Sequence, residues 1–432
     1  MKQKYNEYKE SEYEWLGRIP LHWELKKAKW GFKEKSIKGY PNEILLSVSK
    51  GRGVIPRDKL ENKSVMAFKD LQNFKLVVPE DFVIHLRSFQ SGFEMSSNKG
   101  IVSPAYTVFS CENSLEPNYY KYLFYMRSFI DAIASTTQSL RDGKPIAYKD
   151  FSDMELPFPT IEEQTKIANF LDFKLNSIDN LISKKNKCII LLEQQRQSII
   201  TEAVTKGLNP NVKMKDSGVE WMGEIPEHWD TKKVKYLIQE KLSYGANESA
   251  ELDDENLPRY IRITDIDERG KLKRETFKSL SLEIAQNYIV KKHDILLARS
   301  GATVGKSYIH KEDKEASYAG YLIKLRAKNL IVAEYIYYFT NSSIYKQWID
   351  SNLIQATIQN VSAEKYANLS IPISNDEDEI NSILSHIKCK ETELLKAIDK
   401  LKEQISKLKE YRQSLIYEAV TGKIDVRDME LD

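Results

Sequence analysis

The chain says nearly the same thing twice, at domain length. Glu14-Trp15-Leu16-Gly17-Arg18-Ile19-Pro20-Leu21-His22-Trp23 returns as Glu220-Trp221-Met222-Gly223-Glu224-Ile225-Pro226-Glu227-His228-Trp229. Arg196-Gln197-Ser198-Ile199-Ile200-Thr201-Glu202-Ala203-Val204-Thr205 returns as Arg412-Gln413-Ser414-Leu415-Ile416-Tyr417-Glu418-Ala419-Val420-Thr421. The copies lie 206 and 216 positions apart, about half of the 432 residues. Solenoid units run to roughly 20–50 residues, so a whole unit is duplicated here. Each copy is long enough to bury its own core. Two copies related by pseudo-two-fold symmetry suit a target that has two halves.

Both copies keep one order of parts. A lead-in segment of the pattern Trp-x-Gly-x-Ile-Pro-x-His-Trp comes first, punctuated as a loop by Gly and Pro. A mixed stretch follows. Val83-Ile84-His85-Leu86 and Tyr106-Thr107-Val108-Phe109 read as strands in the first copy, and Tyr260-Ile261-Arg262-Ile263-Thr264 and Ile295-Leu296-Leu297-Ala298 in the second. The stretch closes with Leu156-Pro157-Phe158-Pro159 in one copy and Ile371-Pro372-Ile373-Ser374 in the other. Tyr120, Tyr122 and Phe124 align with Tyr335, Tyr337 and Phe339, and Tyr106 with Tyr321, all at an offset of 215. Between these anchors the residues differ, as expected when a repeated scaffold carries two different binding surfaces.

A long helical pattern ends each copy. Leu171, Leu175, Ile178, Ile182, Lys185, Ile189, Leu192, Arg196, Ile199 and Ala203 follow alternating three- and four-residue steps. Their counterparts 216 residues on are Ile387, Glu391, Leu394, Ile398, Leu401, Ile405, Leu408, Arg412, Leu415 and Ala419. Such a stripe marks a coiled coil, and the matching register makes each helix the natural partner of the other. The fold class expected is α+β. Two mixed domains, 1–160 and 207–374, alternate with long helices over 161–206 and, with a tail, 375–432.

Composition excludes more than it identifies. No run approaches the roughly 20 apolar residues that span a bilayer, and the first residues lack a signal-peptide core, so a cytoplasmic protein is expected. Cys111, Cys188 and Cys389 form no CxxC pair, which argues against a zinc site or a disulfide framework. The 65 basic and 63 acidic residues leave a net charge of +2; basic groups gathered on one face would still serve nucleic acid.

Two motifs come close to catalytic signatures and miss. Ser300-Gly301-Ala302-Thr303-Val304-Gly305-Lys306-Ser307 nearly spells a phosphate-binding P-loop, but Ser300 replaces the first Gly and Tyr308-Ile309-His310 reads as a strand where the motif needs a helix. Ser103-Pro104-Ala105-Tyr106 resembles an amino-methyltransferase loop without its second Pro, and Tyr318-Ala319-Gly320-Tyr321 in the other copy keeps neither Ser nor Pro. No catalytic constellation emerges. What remains suits DNA recognition: Arg52, Arg57, Arg87, Gln90, Asn98 and Lys99 in the first copy, and Arg262, Thr264, Arg299, Thr303, Lys306, Gln355 and Gln359 in the second. Arg pairs with guanine and Asn or Gln with adenine, while Lys and Thr mostly hold phosphate.

The chain closely resembles the specificity subunit of type I restriction-modification enzymes. The residues that carry the resemblance are the two lead-in segments, Tyr260-Ile261-Arg262-Ile263-Thr264-Asp265-Ile266, His293-Asp294-Ile295-Leu296-Leu297-Ala298-Arg299-Ser300-Gly301, the junction at Leu156-Pro157-Phe158-Pro159 with Glu162-Glu163-Gln164, and Glu418-Ala419-Val420-Thr421-Gly422-Lys423-Ile424-Asp425-Val426. The resemblance implies two target-recognition domains separated by two antiparallel helices, and a bipartite double-stranded DNA site. It implies a non-catalytic chain without cofactors of its own, docking two methyltransferase subunits on its helices and joined in the full complex by two nuclease-translocase subunits. S-adenosylmethionine, ATP and Mg²⁺ would then sit on those partners. One departure is Thr205-Lys206-Gly207-Leu208 against Thr421-Gly422-Lys423-Ile424, with Gly and Lys exchanged at the helix end. A different reading, a duplicated protein-interaction scaffold dimerised through its coiled coil, predicts binding that responds less to salt than DNA binding does.

Overall fold

The computed structural model describes residues 3–59, 70–86, 92–136, 146–267, 269–354 and 360–429. It divides into two compact units, residues 1–185 with 403–432, and residues 186–402. Both boundaries run through the long helices α1 (Ile161–Lys206) and α2 (Glu377–Val420). Each unit therefore holds one mixed domain, half of α1 and half of α2.

The first unit is built on an antiparallel sheet of β1 (Phe32–Lys35), β2 (Phe82–Ile84), β3 (Phe93–Met95) and β4 (Thr107–Cys111), in the order β1-β4-β2-β3. The second repeats it with β5 (Ser243–Tyr244), β6 (Ile295–Ala298), β7 (Ser307–Ile309) and β8 (Leu322–Leu325), in the order β5-β8-β6-β7. Two small ribbons also recur. Tyr8–Glu10 pairs with Arg18–Pro20 as Met214–Asp216 pairs with Glu224–Pro226. Glu24–Lys27 pairs with Glu155–Phe158 as Asp230–Lys233 pairs with Ser370–Ile373.

The inserted ribbons do not recur. The first unit has a hairpin of Leu46–Ser49 with Gly53–Pro56 and an antiparallel pair of Lys75–Val77 with Gly100–Val102. The second instead pairs Arg259–Ile261 with Ala316–Tyr318 in parallel. The strand expected over Tyr260–Thr264 thus ends at Ile261 and turns into a 3₁₀ segment, Ile263–Asp265. The Asp265 carboxylate accepts from the Arg262 amide and closes that turn.

A helix follows each sheet. Pro117–Tyr125 starts with Pro at its first turn, where a missing N–H costs nothing, and Glu116 caps it by accepting from the Asn118 amide at 3.2 Å. Leu330–Phe339 is capped by Asn329, which accepts from the Val332 amide at 2.9 Å. Their tyrosines reach across the unit. Tyr120 donates to the Pro157 carbonyl and Tyr335 to that of Pro372, the offset of 215 again.

The ends of the long helices are part of the globular cores. In the first unit Ile167, Leu171, Leu175 and Ile178 of α1 and Leu415, Ile416, Ala419 and Val420 of α2 pack with Trp23, Phe32, Phe82, Phe109 and Phe124. In the second, Ile200, Ala203 and Val204 of α1 and Ile380, Ile383, Leu384 and Ile387 of α2 pack with Trp229, Leu297, Tyr335 and Phe339. Every position of the heptad stripe is buried or half-buried, as a coiled-coil seam requires. Within the first unit Asp179 pairs with Arg412 and Lys185 with Gln404, so the halves run antiparallel. The polar stripe position Arg196 is answered in the second unit by Glu391, its Nε donating at 2.8 Å.

The lead-in segments explain their own repetition. His22 Nε2 lies 3.0 Å from Oε2 of Glu163 in the first turn of α1, and Trp23 Nε1 donates to Glu163 at 3.3 Å. His228 and Trp229 hold Glu379, in the first turn of α2, at 3.0 Å each. A carboxylate near a helix N-terminus is favoured by the helix dipole, and here a fully buried indole locks it in place. The opposite helix end rests on the same segment. Gly207 and Gly422 both take positive φ, +72° and +68°; a Cβ would meet Trp229 at the first and Pro20 and Trp23 at the second. Both helices therefore stop on a left-handed glycine, despite the exchange of Gly and Lys.

Candidate nucleic-acid interface

The residues expected to touch DNA fall into two groups in each unit. In the first unit, Arg52 is exposed at the turn of the Leu46–Pro56 hairpin, its amide donating to the Ser49 carbonyl. The turn is held from below by Glu94, a buried carboxylate that accepts from the Gly51 amide at 2.7 Å, the Gly53 amide at 3.2 Å and the Tyr125 hydroxyl at 2.7 Å. Burial pushes the Glu94 carboxyl above the usual range, while these three donors and Lys50 pull it back. Asn98 braces the same hairpin by donating to the Val54 carbonyl at 2.9 Å. Lys99 pairs with Glu43 at 2.5 Å, and the Arg57 amide donates to Leu45. Arg52, Arg57 and Asn98 thus converge on one hairpin. Arg87 and Gln90, in the connection from β2 to β3, lie outside the described residues.

In the second unit the connection from β6 to β7 carries Arg299, Thr303 and Lys306. Gly301–Thr303 forms a 3₁₀ turn and β7 starts at Ser307. No helix follows Lys306, so this is not a P-loop. Lys306 donates to the Ile266 carbonyl at 2.6 Å, and with Thr303 it lines a groove of about 510 Å³ that also takes in Arg196, Gln197 and Lys346. Thr264 is exposed in the neighbouring 3₁₀ segment. Arg262 faces inward. Its Nε and Nη2 donate to Asp265 at 3.0 and 2.7 Å and Nη2 also donates to the Thr276 carbonyl at 2.8 Å. Asp265 is fully buried, so the Arg262 fork is committed to the fold. Arg299 lies apart from these, with Cζ 4.6 Å from the Tyr244 ring centroid and Nε donating to Asn360 at 3.2 Å. Gln355 and Gln359 lie outside the described residues.

One acidic surface suits DNA poorly. A groove of about 630 Å³ in the first unit is lined by Glu12, Glu14, Asp131, Asp150, Asp153 and Glu155, whose charge opposes phosphate. Ser103–Tyr106 is a turn leading into β4, closed by the Tyr106 amide on the Ser103 carbonyl. Among the described residues no group of three or more His, Cys, Asp and Glu is placed to hold a metal ion, and no helix is long and apolar enough to cross a membrane.

Residues 226–406 match the family model of the type I restriction modification DNA specificity domain. The match opens in the second lead-in segment and ends within α2. That stretch is a type I DNA specificity domain. The type I restriction enzyme MjaVIII specificity subunit of Methanocaldococcus jannaschii is 26% identical over 446 aligned positions, covering 98% of both chains. In fold, the HsdS subunit from Thermoanaerobacter tengcongensis superposes with a TM-score of 0.52 at 13% identity, over 96% of this chain and all of that one. A chain from a structure of type I restriction-modification complex assembly reaches 0.70 at 12% identity, over 93% of this chain and 98% of its own.

The molecule puts its duplicated frame and its divergent surfaces in different places. The frame consists of the sheets, the lead-in clamps and the helix seam. Divergence concentrates in the hairpins, the inserted ribbons and the connections beyond the sheets. Tyr244, Asn360 and the exposed Tyr321 were not among the residues expected from sequence. Tyr321 carried a signal, its offset of 215 from Tyr106. Tyr244 and Asn360 carried none, since only folding brings them to Arg299.

Proposed function

We propose that this chain is the non-catalytic, sequence-reading subunit of a cytoplasmic type I restriction-modification complex. Each unit reads one half of a bipartite double-stranded DNA site. The long helices set the gap and dock two methyltransferase subunits, and two nuclease-translocase subunits join the full complex. S-adenosylmethionine, ATP and Mg²⁺ belong to those partners. The observation that carries the reading is one frame, β1-β4-β2-β3 and β5-β8-β6-β7, bearing unlike insertions in its two occurrences.

The test is selection from random duplexes by the chain in complex with its methyltransferase. The expected product is two short motifs at a fixed spacing, with binding that weakens steeply as salt rises because neutralised phosphates release counterions. A single undivided motif, or no preference at all, would overturn the reading. Binding to a protein with little salt response would instead favour the interaction-scaffold alternative.

A further inference from the structure

We propose that Arg299, clamped between Tyr244 and Asn360, is the side chain with which the second unit reads a guanine in its half-site. The proposal rests on the DNA-reading function above and names one determinant of it. Arg299 is the first residue beyond β6, and Tyr321 is the last before β8. They face each other past the final rung, Ala298 opposite Leu322. The Arg299 amide donates to the Tyr321 carbonyl at 3.1 Å, and the Arg299 carbonyl accepts from the Val361 amide at 2.8 Å. The backbone is thus held on both sides.

The side chain is held as well. Its guanidinium lies over the Tyr244 ring, and Nε is tied to the Asn360 side chain. The ring is itself fixed, because the Tyr244 hydroxyl accepts from the Ala363 amide at 3.0 Å. Four other arginines of this unit, Arg196, Arg262, Arg269 and Arg326, each grip a carboxylate, while Arg259 donates to the Lys273 carbonyl beside the Phe277 ring. Among the described residues no carboxylate pairs with Arg299. A planar cation with one face stacked and its inner nitrogen bonded presents its two terminal nitrogens as a rigid fork. Two parallel donors match O6 and N7 of guanine in the major groove. A phosphate can accept from the same fork, but such a contact carries no sequence information, so its loss would weaken binding alike on every sequence. Tyr244 and Tyr321 are 42% and 69% exposed, so the site is open to a macromolecule.

The first unit supplies the contrast. By register, Ile84 opposite Thr107 corresponds to Ala298 opposite Leu322, so the residue one step past the strand is His85. A backbone-holding contact could stay the same in both units. A base-reading contact should differ when the two half-sites differ, and Arg against His does.

Motif selection with the methyltransferase complex tests this, comparing the unaltered chain with Arg299→Ala, Arg299→Lys and Tyr244→Leu. With Arg299→Ala, one fixed guanine in one half-site should become degenerate, affinity for the original site should fall about 10- to 100-fold, and the other half-site should stay unchanged. Arg299→Lys keeps the charge but loses the fork, so the salt dependence should persist while the guanine preference is lost. Tyr244→Leu should weaken the preference part-way. Arg299→Lys also guards against a failure of the alanine variant to fold. An unchanged motif, or equal weakening on all sequences as a phosphate contact would give, overturns this proposal and leaves the functional reading standing. The absence of any bipartite motif for the unaltered chain overturns both.

Discussion

Arg262 and Asp265 form an ion pair whose carboxylate is fully buried and whose arginine side chain is 28% exposed. Removing one partner leaves the other charge uncompensated, which costs about 3–5 kcal/mol. Arg262→Ala should therefore destabilise the second unit by about that amount in urea denaturation. A loss below about 1 kcal/mol would show that the pair is not what holds the turn. Glu94 plays a comparable part beneath the hairpin of Arg52. Glu94→Ala leaves the Gly53 amide and the Tyr125 hydroxyl without an acceptor, at about 1–3 kcal/mol, and should speed hydrogen exchange at Gly51 and Gly53. Lys423 supplies a pH dependence. Burial, with Arg18 nearby, pulls it down to about 8 in the folded chain, while the unfolded chain keeps it near 10.4. Between those values the unfolded state binds more protons, so stability should rise with pH from about 8 to 10. A Lys423→Met variant should lack that rise in a melting-temperature series. Neither the burial of Asp265 nor the reach of Lys423 to the Leu16 carbonyl could be read from sequence, because each partner is chosen by folding.

At the scale of elements, the recurring lead-in segment is a helix clamp. Glu163 is 6% exposed at its side chain and Glu379 27%, so the two copies of the clamp should not be worth the same. Glu163→Ala should cost more than Glu379→Ala, each within about 1–3 kcal/mol because a buried indole N–H loses its acceptor. Equal costs, or the reverse order, in denaturation followed by hydrogen exchange in each unit would count against this account. The helix stripe was legible residue by residue, since a 3.5-residue period is a local property of the chain. The strand at Ile295–Ala298 was equally plain as an apolar run. The strand over Tyr260–Thr264 overran because its end is set by a side chain, Asp265, and not by a change in hydrophobicity.

On the scale of the whole molecule, the first unit is assembled from both ends of the chain. The Tyr119 hydroxyl donates to the Val420 carbonyl at 2.8 Å across 301 positions, and the Asp425 amide donates to the Gln3 carbonyl. In the second unit the corresponding carbonyl, that of Val204, accepts from Tyr335, the counterpart of Tyr120, and lies on a helix end that directly precedes the unit. Ending the chain after Lys402 should remove Leu415, Ile416, Ala419 and Val420 from the first core and leave the second intact. Limited proteolysis should then degrade residues 1–185 while a fragment spanning roughly 186–402 persists. Protection of both units in the truncated chain would refute that dependence.

The amino-acid sequence by itself determined the duplication, the helix register and the separation of a constant frame from variable surfaces. These are periodicities and identities that exist before the chain folds. Only the tertiary structure decided which polar groups remain for a target. Arg262 and Arg299 look alike in sequence, each following an apolar run. One meets a buried carboxylate and is neutralised within the fold; the other meets an aromatic face and an amide, which orient its charge without cancelling it. Local pattern cannot separate the two, because the difference lies in partners that only the packed chain brings together.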